Sequence, residues 1–94
     1  MSKLKIAAHP GEILNEEFLK PLGISQARFS EHIGISRRAI NEIVRGKRGI
    51  TANTAVRFAK ALDTTPEWWM SMQSHWELCN VEKVTGVRKL KALG

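Results

Sequence analysis

The stretch SQARFSEHIGISRRAINEIVR, residues 25–45, decides how the chain folds. Ser25 and Ser36 each stand before a helical pattern, where a hydroxyl accepts an otherwise unpaired N–H of the first turn. Phe29 and Ile33 lie i,i+4 on the first helix, Ile40 and Ile43 lie i,i+3 on the second, and Ile35 sits beside the turn between them. These five side chains can share one small core. Gly34 ends the first helix where a left-handed backbone is wanted, and Ala27 and Ser30 are small enough for the second helix to cross closely. Two short helices joined in this way form a helix-turn-helix.

With its isoleucines turned inward, the second helix must turn Arg37, Arg38, Asn41 and Arg45 outward. Arg and Asn are the side chains that pair bidentately with guanine and adenine edges, so this face suits a DNA major groove. Taken alone, an Arg-rich helix face is more often simply solvated. Here the caps, the turn spacing and the charge agree on one DNA-binding arrangement. The 94 residues make one domain, and a formal charge of +6 with a pI near 10.0 suggests a polyanionic partner. That charge is focused: Arg37, Arg38, Arg45, Lys47 and Arg48 fall within twelve positions that hold one acid, Glu42. Focused charge favours a groove or a phosphate backbone.

Other functions lack their signatures. Cys79 is alone, which rules out an intrachain disulfide and a closed cysteine-based zinc site and fits a reducing cytoplasm. No apolar run approaches the ~20 residues needed to cross a membrane, and the N-terminus lacks a secretory h-region, so a cytoplasmic location is expected. His9, His32 and His75 are far apart and none is read as having a His or acid partner at ligand-like spacing, so no metal is expected. No nucleophile with a base, no paired carboxylates and no phosphate-cradling loop is visible, so neither catalysis nor a cofactor is expected. His32 should be partly exposed, and Cys79 should be a small buried hydrophobe.

Outside the central stretch, residues 1–8 read as a loose arm and residues 9–80 as the folded domain. A first helix should start at Pro10, bury Ile13, Leu14 and Phe18, and stop at Pro21 and Gly23. The loop Gly46-Lys47-Arg48-Gly49 reads as a phosphate contact or as a plain solvated turn. Thr51 should cap a fourth helix over 52–62, with Ala52, Ala55, Val56, Ala59 and Leu62 as its apolar stripe and Phe58 widening it. Thr65-Pro66-Glu67 starts a fifth, on which Trp68, Met72, Trp76 and Cys79 share a face while Trp69 and Met70 widen it. Trp68, Trp69, Met72 and Trp76 are thus candidates for a dimer interface, or else they cap the core of one chain. The spacing in residues 81–94 does not choose between helix and strand; the tail reads as an extension touching a dimer partner or toxin, or as a flexible basic end.

Taken together, the motifs His9-Pro10-Gly11-Glu12-Ile13-Leu14, Pro21-Leu22-Gly23-Ile24-Ser25, Gly34-Ile35-Ser36-Arg37-Arg38, Ile40-Asn41-Glu42-Ile43 and Gly46-Lys47-Arg48-Gly49-Ile50-Thr51, with Pro66-Glu67 and Trp69, carry a resemblance. The chain resembles the HigA-type addiction-module antitoxins, within the phage-repressor-like helix-turn-helix proteins. That resemblance implies an all-α, five-helix lambda-repressor-like domain with a short C-terminal extension. It implies a homodimer that binds an inverted-repeat operator in double-stranded DNA, represses its own operon and neutralises a small RelE-like mRNA endonuclease toxin. It also implies that Ser36, Arg37, Arg38 and Asn41 face the bases, while Gln26, Arg45, Lys47 and Arg48 hold phosphates. Asp63 stands where the family usually has glycine. A solitary regulator without a toxin, or a helix-turn-helix adaptor for proteins, is the alternative.

Overall fold

Five helices and no strand make up residues 8–91, the part of the chain that the computed structural model describes. They are α1 (residues 10–22), α2 (Gln26–Ile33), α3 (Arg37–Val44), α4 (Ala52–Leu62) and α5 (Pro66–Asn80). This is the expected all-α helix-turn-helix architecture. Residues 1–7 of the expected arm and residues 92–94 of the tail lie outside the described residues.

Every helix starts on a side-chain cap. The N–H of Arg28 donates to Ser25 Oγ at 3.0 Å, that of Ala39 to Ser36 Oγ at 3.1 Å, that of Thr54 to Thr51 Oγ1 at 3.3 Å and that of Trp68 to Thr65 Oγ1 at 3.1 Å. A fifth cap is less conventional: Gly11 N–H donates to His9 Nδ1 at 2.9 Å. At the far ends, Gly34 (φ 77°) closes α2 and Asp63 (φ 57°) closes α4. Asp is among the few residues with a side chain that enter the left-handed region readily, so it serves where glycine was expected.

α1 departs from the sequence expectation in its middle. Pro10–Ile13 and Lys20–Leu22 are α-helical, but Leu14–Leu19 is a π-helix in which Lys20 N–H donates to the Asn15 carbonyl. Pro21 removes one N–H from the ladder, and the wider register upstream lets the helix run through it to end at Gly23. Burial follows the longer period. Leu14 and Leu19, five apart, are both buried, whereas Phe18 is only half-buried.

The core gathers Leu14, Leu19, Phe29, Ile33, Ile40, Ile43, Ile50, Ala55, Phe58, Ala59 and Trp69. Fully burying an aliphatic or Phe side chain stabilises by about 1.5–3 kcal/mol, so the isoleucines of α2 and α3 and Phe29 hold the two helices together. Aromatic rings then link α2 to α5: Phe29 meets Phe58 at 5.6 Å, Phe58 meets Trp69 at 5.0 Å and Trp69 meets Phe18 at 5.7 Å between centroids. Trp69 is fully buried and its indole N–H donates to Thr64 Oγ1 at 2.7 Å, which meets its one polar need. Thus Trp69 is a centre of the protomer's own core and offers no surface to a partner. On α4, Phe58 is fully buried rather than flanking, and Val56 and Ala52 are exposed. Cys79, expected to be buried, is exposed, because α5 outruns the core: residues 77–80 all face solvent.

α1 lies against α3 at Gly11, which is buried where a Cβ would stand 1.7 Å from the Ile43 carbonyl oxygen. Main chain meets main chain there. Beyond α5, residues 81–91 form neither helix nor strand, and Val81, Val84, Val87 and Leu90 are all largely exposed. Among the described residues, no helix is long and apolar enough to cross a membrane.

Candidate nucleic-acid interface

α3 divides into two faces. Ile40 and Ile43 are buried, at 0% and 1% exposure, while Arg37, Arg38 and Asn41 are exposed on the opposite side and Ser36 is exposed at the cap. The exposed side also carries Arg45, just past the helix, and Lys47 and Arg48 of the following loop, all in solvent. Seven of the eight proposed nucleic-acid contacts are thus exposed; Gln26, at the start of α2, is half-buried.

Gln26 and Asn41 come together across the turn. Asn41 Nδ2 donates to Gln26 Oε1 at 3.2 Å, so the residue assigned to phosphate and the residue assigned to bases orient one another. The turn itself is fixed from below by α4. Arg57 Nη1 donates to the Ile33 carbonyl at 2.7 Å, closing the end of α2, and its Nε donates to Asn53 Oδ1 at 2.8 Å. Arg57 was visible in the sequence only as a residue outside the apolar stripe. Nothing in local spacing reveals a contact 24 residues back.

The Gly46–Gly49 loop is held on three sides, although Lys47 and Arg48 are both exposed. Lys47 N–H donates to the Glu42 carbonyl at 2.8 Å, continuing the end of α3. Gln73 of α5, buried at 4% exposure, accepts the Ile50 N–H at 2.8 Å through Oε1 and gives its Nε2 hydrogen to Glu77 Oε2 at 3.0 Å. Gly49 lies so close to that amide that a Cβ would stand 2.7 Å from Gln73 Nε2. His9, at the start of α1, makes a T-shaped ring contact with Trp76, 4.8 Å between centroids, and lies beside Gly46. A loop anchored in this way presents its two cations from a fixed backbone.

One carboxylate sits among the five cations. Arg38 Nε donates to Glu42 Oε2 at 3.1 Å, and Arg48 donates Nε and Nη2 to Glu42 Oε1 at 2.8 and 2.6 Å. Hydrogen bonds from Arg48 and Arg38 hold the Glu42 carboxyl below the usual carboxylate range, so it is ionised at neutral pH. The i,i+4 spacing of Arg38 and Glu42 was a readable signal, whereas the bond to Arg48 depends on how the loop folds back. Arg37, Arg45 and Lys47 make no ion pair among the described residues.

Of the interface candidates on α5, Trp68 is 42% exposed and stacks edge-on against Phe18, Met72 and Trp76 are half-buried, and Trp69 lies inside. Burial on α5 centres on Trp69 and Gln73, one position away from the face that the tryptophan spacing suggested. No group of three or more His, Cys, Asp or Glu among the described residues is placed to hold a metal ion.

Residues 16–69 match the helix-turn-helix family model. The chain is 44% identical over 77 residues to virulence-associated protein I of Dichelobacter nodosus, a match that spans 82% of this chain and 71% of that protein. Among solved structures, Pseudomonas aeruginosa antitoxin HigA with the higBA promoter is 42% identical with a TM-score of 0.75, over 77% of this chain and 78% of that one. Antitoxin GraA in complex with its operator is 37% identical with a TM-score of 0.81, over 92% of this chain and 93% of that one.

Proposed function

From the chain's membership of the helix-turn-helix family, and its likeness to antitoxins of the HigA type, we propose that it is a DNA-binding transcriptional regulator and antitoxin that reads its own operator. The observation that carries this reading is the outward face of α3, where Arg37, Arg38 and Asn41 stand exposed on a helix whose other side is locked in the core. Ser36, Arg37, Arg38 and Asn41 meet base edges in the major groove, and Gln26, Arg45, Lys47 and Arg48 meet phosphates. Arg38 suits guanine, and Asn41 suits adenine. The protein acts as a homodimer on an inverted repeat whose half-sites lie about one helical turn, roughly 34 Å, apart. Trp68, with Met72 and Trp76, supplies apolar surface for that pairing.

As the antitoxin of a type II module, the chain neutralises a small RelE-like mRNA endonuclease and represses the operon that encodes both. What supports this finer reading is the similarity to antitoxins across the folded domain. A reading frame for a small basic protein beside its gene is the first test; where one is found and its product is toxic, co-expression with the chain should restore growth, and persistent toxicity would leave a solitary regulator.

The DNA-reading function is tested by selecting sites from a random pool of duplex DNA at two salt concentrations. An inverted repeat still enriched at the higher salt is the expected result. Binding without enrichment, lost as salt rises, would refute base reading.

A further inference from the structure

Arginine on a free arm binds any phosphate it meets. A protein that must find one site among many gains by restraining its arginines until the right surface is offered. The structure contains such a restraint. Glu42 reaches two arginines from two separate elements with its two separate oxygens, Arg38 from α3 through Oε2 and Arg48 from the loop through Oε1. No other carboxylate lies within the basic stretch from Arg37 to Arg48.

We propose that Glu42 is a specificity-determining residue, a clamp that orients Arg38 and Arg48 toward base edges and their flanking phosphates and withholds them from unrelated duplex. The inference rests on the DNA-reading function proposed above. Glu42 takes only Nε of Arg38, leaving both terminal nitrogens free to make the end-on bidentate pair with guanine O6 and N7. It takes Nε and Nη2 of Arg48 and leaves Nη1 for a phosphate. On the selected site, therefore, both arginines bind without letting go of Glu42. On unrelated DNA, where no base edge meets Arg38, closer approach to phosphate requires breaking these bonds or bringing a carboxylate beside the backbone. Glu42 thereby opposes general binding more than specific binding. It is a positioning residue and does not itself need to touch DNA.

The experiment compares wild type, Glu42→Gln and Glu42→Asp on the site selected by the wild-type protein and on a scrambled duplex of the same length, each across a salt series. Gln keeps the shape and removes the charge. Asp keeps the charge and shortens the arm so that it no longer spans both arginines. For Glu42→Gln, affinity for the scrambled duplex should rise about threefold or more, with a salt slope steeper by about 0.9 for each phosphate newly contacted. Affinity for the selected site should stay level or fall, so the ratio between the two duplexes drops. Glu42→Asp should lower that ratio as well. A purely structural role for Glu42 would shift the melting temperature and weaken both duplexes alike, leaving the ratio unmoved, and that result would overturn the inference. A Glu42→Asp ratio equal to wild type would also overturn it, since charge without the clamp would suffice. No enriched site for the wild-type protein would remove the DNA-reading function and this inference with it, whereas an enriched site with an unmoved ratio removes the inference alone.

Discussion

Replacing Gly11 by alanine tests how the first helix is set against α3. A Cβ at this position would stand 1.7 Å from the Ile43 carbonyl oxygen, 2.4 Å from its carbon and 2.9 Å from Val44 Cα. Ordinary contact between non-bonded heavy atoms is about 3.5 Å, so the two backbones must part by about 1.8 Å or the helix must tilt by an equivalent amount. Overpacking costs about 1–3 kcal/mol where neighbouring side chains give way. Here the obstacle is the main chain of a helix whose Ile40 and Ile43 are already locked in the core, so the cost lies at or above about 3 kcal/mol. At about 0.05–0.15 kcal/mol per residue, that is a large share of the stability of a 94-residue chain. Each kcal/mol lowers the melting temperature of a domain this size by about 4–8 °C, so Gly11→Ala should lose at least about 12 °C. Gly23→Ala is the control: its φ is +67° but nothing lies within 4 Å, leaving only a left-handed penalty of about 1–2 kcal/mol. Thermal and urea unfolding of both variants decides the matter. Equal losses, or a Gly11→Ala protein as stable as wild type, would refute the close approach.

Three further outcomes are expected. Gln73→Leu should destabilise by about 1–3 kcal/mol, because the Ile50 N–H then has no partner in a buried position; urea unfolding with an unchanged midpoint would contradict the anchoring of the loop. His9 caps α1 through an unprotonated Nδ1, and burial lowers its pKa below the usual 6.5, against an opposing pull from the Glu12 charge. Below that value the unfolded chain takes up the proton more readily than the folded one, so stability is full above about pH 6.5 and falls as the pH drops below it. Melting temperatures across this range should decline for wild type and much less for His9→Asn, which caps without titrating; identical declines would exclude His9 as the source. Asn41→Ala should cost about 1–3 kcal/mol on the selected site and relax sequence preference, whereas Lys47→Ala should weaken all duplexes alike and flatten the salt dependence; binding isotherms on selected and scrambled DNA separate the two.

The helix-turn-helix was legible because its signals are local. Ser25 and Ser36 cap within three residues of themselves, Phe29, Ile33, Ile40 and Ile43 repeat at helical spacing, and all four are buried as that spacing requires. α1 was harder to read, since a 3.6-residue period pairs Leu14 with Phe18 while the π segment pairs Leu14 with Leu19. The stop at Gly23 is legible in the sequence, whereas local rules do not show that a wider register upstream can carry the helix one residue past Pro21. On α5 the equal spacing of Trp68, Met72 and Trp76 suggested one face, but tertiary packing chose the neighbouring line through Trp69 and Gln73. The exposed side chains of the candidate site were readable from charge; what holds them was not. Gln73 lies 23 residues from the amide it receives, and Arg57 lies 24 from its carbonyl, distances over which no periodicity speaks.

The division of α3 into a packed side and an exposed side bears on how such a protein changes over generations. Positions 37, 38 and 41 are exposed, so on the DNA-reading function proposed above their codons can drift to a new operator preference while the fold's stability stays level. A duplicated gene would then acquire a new address before it acquired a new fold. Position 42 restricts that freedom. Because one carboxylate serves residues 38 and 48 together, a change at any of the three alters the selection on the other two, and descendants of this chain should vary at 38, 42 and 48 as a set while 37 varies alone.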